Sequence, residues 1–284
     1  MIEGLLLLGS GVGAGLFGSL LGLGGGILIV PLLTLAFGLP LLEAVGVSLI
    51  CVIVTSGAAS GVYLERRVAN LRLGMTLELF TAIGAMAGGT IAFLLDARVI
   101  ELIFTGLLTY VAITMARRRD PEPAQGPTPG PAGSTADGPA LSADPAPGAI
   151  RAFLDRLSGP DYRIRRFGRG IVGSLVAGVA SALLGIGGGL VKVPVMHVVM
   201  GVPLRVATAT SNLMIGITAS ASAIIYLLRG GIDPYAAAPT AIGVFIGASI
   251  GSRIASRVNL GLLRGLFVAI LLYTAWQMLQ RAIA

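Results

Sequence analysis

Long apolar runs, each closed by a few charged residues, organise the chain. Segments 41–64, 73–95 and 99–116 are each long enough to cross a bilayer as a helix, since a hydrocarbon core of about 30 Å requires about 20 helical residues. Arginines gather beyond the ends of these segments, as at 66–67 and 117–119. The pattern therefore predicts an all-α polytopic membrane protein.

Two of the apolar runs contain a glycine cluster followed by a proline. Residues 22–31 read GLGGGILIVP, and residues 185–194 read GIGGGLVKVP. Glycine lets the backbone turn and proline withholds a hydrogen-bond donor, so each cluster predicts a break at membrane depth. In the first half, the break separates a helix at 4–20 from a short helix at 27–37. Helices broken at matching positions in two halves are typical of transporter binding sites.

The second half of the chain repeats the first. Gly22 corresponds to Gly185, an offset of 163 residues, and a four-residue deletion shortens the offset farther along. We therefore predict two transmembrane repeats, 1–117 and 166–284, each a glycine-broken helical hairpin plus three transmembrane helices.

The segment between the repeats, 118–165, has a different composition. Residues 120–149 are rich in Pro, Ala, Gly, Ser and Asp, which cannot bury a core and predicts a disordered linker. Residues 150–165 are basic, and this character continues to Arg169. They fit either a short amphipathic helix on an anionic membrane surface or a solvated charged segment.

The way each hairpin folds decides the orientation of the repeats. If helices before and after the glycine break cross the membrane together once, the repeats are parallel. If the short helix folds back beside the long one, the repeats are inverted. Basic loops stay in the cytoplasm. The inverted arrangement places four arginines of the second half on the linker side: Arg205, Arg253, Arg257 and Arg264. We therefore predict inverted repeats with a cytoplasmic linker and both termini outside, although Arg229 and Arg281 fit this topology poorly.

Composition narrows the function further. The chain is 55% hydrophobic and 12% charged, whereas soluble domains carry about 25% charged residues. The net charge of +7 comes from segment ends, so it indicates the positive-inside pattern and not a nucleic-acid partner. Cys51 and His197 are single, and no catalytic cluster occurs, so we expect no disulfide, metal, cofactor or enzymatic activity. Residues 13–18 match G-x-G-x-x-G, but no acidic residue follows at the required distance, which favours close helix packing over dinucleotide binding.

The paired G-x-G-G-G-x-x-x-V-P segments, together with the ATATSN stretch at 207–212, resemble the sulfite exporter TauE/SafE family, which is related to the toluene-sulfonate uptake permeases. The resemblance covers the chain except 118–165, although the first half lacks the Thr and Asn of that stretch. It implies a carrier in the bacterial or archaeal plasma membrane for small sulfur-containing anions such as sulfite, sulfoacetate or related sulfonates. It decides neither the substrate nor the direction of transport.

The two glycine turns also provide a candidate anion site. A helix N-terminus presents unpaired N–H groups and a positive dipole end. Inverted symmetry would bring two such ends together near the midplane, where they would bind an anion through backbone donors. The residues expected to contribute are Gly24, Gly25, Gly26, Ile27, Gly187, Gly188, Gly189 and Leu190.

Lys192 is a charged residue deep in an apolar run, where charge is expensive. Folding the hairpin about 201–203 places Lys192 level with Asn212, so we expect Lys192 to be a counter-charge with Asn212 and Ser211 as donors. Thr208 and, in the first half, Ser48 extend this polar stripe. The alternative is a snorkelling lysine with Asn212 as helix-packing glue.

Two further residues are candidates for proton coupling. His197 is one, because an imidazole is the side chain best suited to relay protons, and an interfacial histidine is the alternative. Glu78 is a second candidate, with a salt bridge to Arg72 or another arginine as the alternative. The leading interpretation is a secondary anion transporter, for which protons are a candidate coupling ion, and an anion channel of the same architecture is the second; the sequence does not decide the coupling ion. The oligomeric state stays open, with a homodimer among the alternatives.

Overall fold

The computed structural model describes residues 2–21, 26–65, 69–117, 164, 166–254 and 260–283. Ten α-helices and one π-helix make up the regular structure of these residues: α1 Ile2–Leu21, α2 Gly26–Ala36, α3 Leu41–Glu65, α4 Leu71–Ala92, α5 Ala97–Arg117, α6 Phe167–Leu184, α7 Gly189–Pro194, π1 Val195–Val199, α8 Leu204–Leu228, α9 Pro234–Ile254 and α10 Leu260–Ile283. Seven helices in the described part are long and apolar enough to span a membrane: α1, α4, α5, α6, α8, α9 and α10. The prediction of an all-α polytopic membrane protein is confirmed.

The predicted segments agree with the helices to within a few residues, and local chemistry explains the differences. α4 begins earlier than expected because the Asn70 side chain accepts a hydrogen bond of 3.1 Å from the N–H of Leu73, which caps the helix. α3 is 25 residues long, and its described apolar part is Leu41–Gly57. The disordered linker and most of the basic segment that we predict lie outside the described residues.

The glycine cluster of the second half reverses the chain. Gly185, Gly187 and Gly188 have φ values of +68°, +74° and +75°, a region that glycine enters without the steric cost of a Cβ atom. After this turn, α7 and π1 return along α6. Gly188 packs beside Ala177, and Gly173 packs beside Val195. The helical hairpin that we predict for this half is therefore present.

The π-helix π1 is a feature that the sequence pattern did not predict. It follows Pro194, which is the last residue of α7 and has no N–H to donate. Proline removes an i→i−4 hydrogen bond, and the helix continues after Pro194 with the wider i→i−5 pattern of a π-helix. The turn ends at Met200, whose N–H donates to the Val195 carbonyl at 3.1 Å.

Close helix packing joins the two halves. α1 packs on α9, and α4 packs on α6, through glycines that face backbone carbonyls of the partner helix. Gly15 faces the carbonyl of Val244, and Gly178 faces the carbonyl of Thr81. Small residues allow backbones in a membrane to approach closely. Gly15 on α1 and Gly178 on α6 are equivalent positions of the repeat. The packing of α1 on α9 therefore corresponds to the packing of α6 on α4. The orientation of the halves relative to the membrane, and therefore their inversion, stays a prediction.

Candidate functional site

The beginning of α2 lies beside the glycine turn of the second half. A Cβ atom placed on Gly26 would lie 2.8 Å from the carbonyl oxygen of Gly185. The buried Ser48 hydroxyl on α3 lies 2.7 Å from the Gly185 oxygen and 3.2 Å from the Gly26 oxygen. A hydroxyl has one proton to donate, so Ser48 serves one of these carbonyls at a time. The two broken segments therefore meet inside the bundle. Gly24 and Gly25 lie outside the described residues.

The first N–H groups of α7 have no hydrogen-bond acceptor within the helix. Gly188 is the N-cap, and its carbonyl accepts from the N–H groups of Val191 and Lys192 at 3.1 and 3.0 Å. The N–H groups of Gly189 and Leu190 come before these donors, at the positions where a helix has no internal acceptor. The predicted start near Leu190 is therefore correct to within one residue.

Two buried hydroxyls flank this turn. Neither Ser181 Oγ nor Ser211 Oγ has a hydrogen-bond partner among the residues that the structure describes. A Cβ atom on Gly188 would lie 3.2 Å from Ser181 Cβ, and one on Gly189 would lie 3.6 Å from Ser211 Oγ. Buried polar atoms normally have a hydrogen-bond partner, so these two hydroxyls are suited to bind a polar ligand at the turn. Sequence reasoning named Ser211 but missed Ser181. The signal was available, because Ser181 replaces Gly18 of the first repeat.

Lys192 is at the centre of a buried ionic cluster. Its side chain is 1% exposed, and Nζ lies 3.0 Å from Oε2 of Glu78 on α4. Nζ also donates to the hydroxyl of Thr218 on α8, and that hydroxyl lies 2.6 Å from Glu78 Oε1. The three side chains join α4, α7 and α8. The alternative in which Glu78 pairs with Arg72 or another arginine is wrong, because the carboxylate pairs with Lys192 of the other half.

The expected contact between the Lys192 side chain and Asn212, which were predicted to lie side by side in the hairpin, is not what the structure shows: Lys192 Nζ contacts Thr218 and Glu78. The backbone register is close to the prediction, since Gly189 packs on Ile215. The lysine side chain, however, bonds to Thr218, six residues beyond Asn212. Helical side chains lean toward the N-terminus of their own helix, which takes Nζ away from the 201–203 turn. The described contact of Asn212 runs through its backbone carbonyl, which accepts from Ser56 Oγ at 2.7 Å.

The remaining predicted residues occupy different surroundings. His197 is exposed on π1, and its Nδ1 lies 2.9 Å from the Val202 carbonyl oxygen, whereas Glu78 is buried. Thr208 on α8 is half-buried, and so is Leu190, while Ile27 is buried. The structure thus brings together the start of α2, the glycine turn of the second half, Ser211 and the Lys192 backbone, and it places His197 in the middle of π1.

Comparison with known proteins agrees with this architecture. Residues 7–278 match the family model described as "Sulfite exporter TauE/SafE". The chain is 26% identical over 230 residues to "Probable membrane transporter protein YunE" of Bacillus subtilis, covering 78% of each protein. It is 25% identical over 228 residues to "Probable membrane transporter protein MJ0441" of Methanocaldococcus jannaschii, covering 78% of this chain and 72% of that protein. No solved structure matches the chain. The protein is therefore a multi-pass membrane protein that belongs to the sulfite exporter TauE/SafE family.

Proposed function

We propose that this protein is a secondary transporter of small sulfur-containing anions, such as sulfite, sulfoacetate or related organosulfonates, in the plasma membrane. The observation that carries the proposal is the buried ammonium of Lys192 on a short helix that begins at a glycine turn. A cation at this depth is costly and marks a substrate or ion pathway in membrane proteins.

The donors around the turn suit an oxyanion. The N–H groups of Gly189 and Leu190 point from the start of α7, and α2 begins at Gly26 beside the same turn. A helix N-terminus favours negative charge through its dipole and its unpaired donors. The hydroxyls of Ser181 and Ser211, which have no partner in the described part of the chain, add two donors nearby. A sulfonate has three oxygens in a tetrahedral arrangement, so it can accept from several of these groups at once.

The lysine is also a chemical difference between the two repeats. The equivalent positions of Lys192 and Asn212 in the first half are Ile29 and Leu49, both buried and apolar. The positive charge of the proposed site therefore comes from the second half, while α2 and Ser48 of the first half complete its framework. A site of this kind lies where the two halves meet, which is the expected position in transporters built from repeats.

Purified protein tests the proposal directly. We would measure melting in detergent with sulfite, sulfoacetate, isethionate, taurine, acetate and sulfate, since a ligand that binds only the folded state raises stability by about 2.7 kcal/mol at 100 times its Kd. We expect a sulfur oxyanion to stabilise the protein most and to exchange across proteoliposome membranes. Stabilisation by acetate alone, or by none of these compounds, would contradict the substrate class. Large unitary currents in planar bilayers would favour the anion channel.

A further inference from the structure

We propose that Glu78 is the proton-coupling residue of the carrier: a proton on its carboxylate releases Lys192 to pair with the anion, so that one proton crosses with each anion. This inference rests on the proposed function, and it assigns the coupling ion to a specific pair. The geometry behind it is the ion pair of Lys192 Nζ and Glu78 Oε2 at 3.0 Å, in which both side chains are almost completely buried.

The charges in the site explain why an anion needs a proton. In the anion-free state, the ammonium and the carboxylate sum to zero. An anion that entered alone would leave one net negative charge in the membrane interior, where an uncompensated charge is strongly unfavourable. If a proton from water converts the Glu78 carboxylate to a carboxylic acid, Lys192 keeps its own proton and pairs with the anion. The site then contains one cation and one anion and is neutral again.

Thr218 positions both members of the pair. Its hydroxyl accepts from Lys192 and lies 2.6 Å from Glu78 Oε1. A protonated Glu78 can donate to the same hydroxyl oxygen, so the carboxyl group keeps a hydrogen bond after it loses its ionic partner. The released ammonium is on α7, the helix whose N-terminal turn contacts Ser211. The proposed anion site is therefore close to the cation that it would need.

No second charged side chain contacts Glu78 in the described part of the chain. The elements packed on α4 are α6 and α8, and Lys192 reaches the carboxylate from α7. Arg72 is six residues before Glu78 on α4 and is exposed, as is Arg169 at the start of α6. Arg205 is 13 residues before Thr218 on α8, about 20 Å along the helix. The other titratable groups on these elements are His197, exposed on π1, and Tyr226, which donates to the Ala182 carbonyl.

Proton-coupled uptake into proteoliposomes tests the proposal. The probe is isethionate, a monovalent sulfonate of fixed charge, with sulfoacetate as the second probe, and an internal pH dye reports protons. For the wild type we expect one proton for each isethionate. A tenfold inward proton gradient should drive about tenfold accumulation, because equal concentration ratios carry equal free energies. An imposed potassium diffusion potential should not change that accumulation.

The Glu78→Gln variant is the sharpest test, because its carboxamide has the shape of a protonated carboxyl and cannot release a proton. We expect isethionate counterflow that no longer depends on pH, together with loss of proton movement and of gradient-driven accumulation. Glu101→Gln is the matched control. Glu101 is also a buried carboxylate with a basic partner, Arg281 at 3.8 Å, but this pair joins α5 and α10 and includes neither Lys192 nor α4, so proton coupling should be unchanged.

Each outcome discriminates. Wild-type uptake without protons, or one proton per anion in Glu78→Gln, would overturn the coupling role and leave the transport function standing. Sulfite itself takes up a proton near neutral pH, so if sulfite is the anion that moves, protons carried by sulfite add to the count. Comparing the number of protons per anion in wild type and Glu78→Gln at the same pH removes this contribution. If Glu78→Gln does not fold, the wild-type proton count alone decides. Failure of every sulfur anion to move would remove the proposed function and the coupling with it.

Discussion

The hydroxyl of Ser48 in the first half lies 2.7 Å from the carbonyl oxygen of Gly185 in the glycine turn of the second half. Ser211 occupies the equivalent position in the second half, yet its Oγ has no partner within the described residues. Ser48 therefore stabilises the meeting point of α2 and the glycine turn of the second half, whereas Ser211 presents to the same turn a hydroxyl that has no described partner.

This difference predicts unequal effects of the same substitution. Ser48→Ala should lower the free energy of unfolding by about 1–3 kcal/mol, because it leaves a buried carbonyl without its donor. Ser211→Ala should leave stability nearly unchanged, because its hydroxyl makes no hydrogen bond to a described residue, but it should weaken binding of a sulfonate. Thermal melting in detergent and calorimetric titration would measure both. Equal losses of stability in the two variants would contradict the prediction.

Removing the lysine should affect both folding and binding. Lys192→Met leaves Glu78 buried without its ion-pair partner, and breaking such a pair costs about 3–5 kcal/mol. A double variant, Lys192→Met with Glu78→Gln, should regain most of that stability. The loss of a charge-assisted contact worth about 1.5–3 kcal/mol should weaken anion binding about tenfold to a hundredfold.

The matched control for Lys192 is Ile29→Met, at the equivalent position of the first repeat. Ile29 is buried and has neither charge nor donor, so anion affinity should not change. Isothermal titration of folded, monodisperse protein with a sulfonate is the measurement. Unchanged affinity in the double variant would place the substrate elsewhere.

Two glycines of α1 should respond differently to alanine. A Cβ atom on Gly15 would collide with the backbone of Val244 on α9, whereas Gly13 has no atom within 4 Å of that position. Gly15→Ala should therefore destabilise the protein by about 1–3 kcal/mol through overpacking. Gly13→Ala should be neutral or slightly stabilising, since alanine favours helix. Melting temperatures would compare them, and a similar loss in both would argue against close packing of α1 on α9.

The turn before α7 requires glycine at position 188 both because φ is positive and because neighbouring atoms leave no space for a side chain. A pair of variants separates these two effects. Gly188 and Gly38 both have positive φ, +75° and +66°, but only Gly188 has close neighbours, with Ala177 oxygen 3.0 Å from an added Cβ. Gly38→Val should cost the backbone strain alone, about 1–2 kcal/mol. Gly188→Val should cost more and should impair transport as well, because it shifts the N–H donors of α7. Equal stability with intact transport in both would count against the site.

Topology can be measured with reporter fusions. We expect the linker 120–149 in the cytoplasm and both termini outside. The two arginines that fit this topology poorly have local partners: Arg281 donates to the Thr34 carbonyl at 3.0 Å, and the guanidinium of Arg229 lies 5.9 Å from the Phe93 ring centroid. Their positions therefore do not require a cytoplasmic location. Termini on opposite sides of the membrane would contradict the hairpin-based crossing count.

The sequence alone determined the class of protein, the helices of the first half to within a few residues, and the glycine break of the second half. These features follow from local chemistry: apolar length decides which segments span, and a glycine cluster inside such a segment cannot continue as a regular helix. The repeat added the comparison of Lys192 with Ile29, which identified the lysine as exceptional before any contact was known. The same comparison, applied to Gly18, could also have identified Ser181.

Only the tertiary structure decided what Lys192 contacts. Glu78 is separated from it by 114 residues and belongs to the other half, so no local pattern connects them. Their meeting depends on α4 packing against the second half through glycine contacts and on the lean of the lysine side chain toward the start of α7. Folding the hairpin about 201–203 correctly predicted which backbone positions of α7 and α8 lie side by side. It nevertheless assigned the Lys192 ammonium to Asn212, whereas the ammonium bonds to Thr218. Backbone register follows from chain reversal, but the partner of a long side chain follows from how neighbouring helices pack around it.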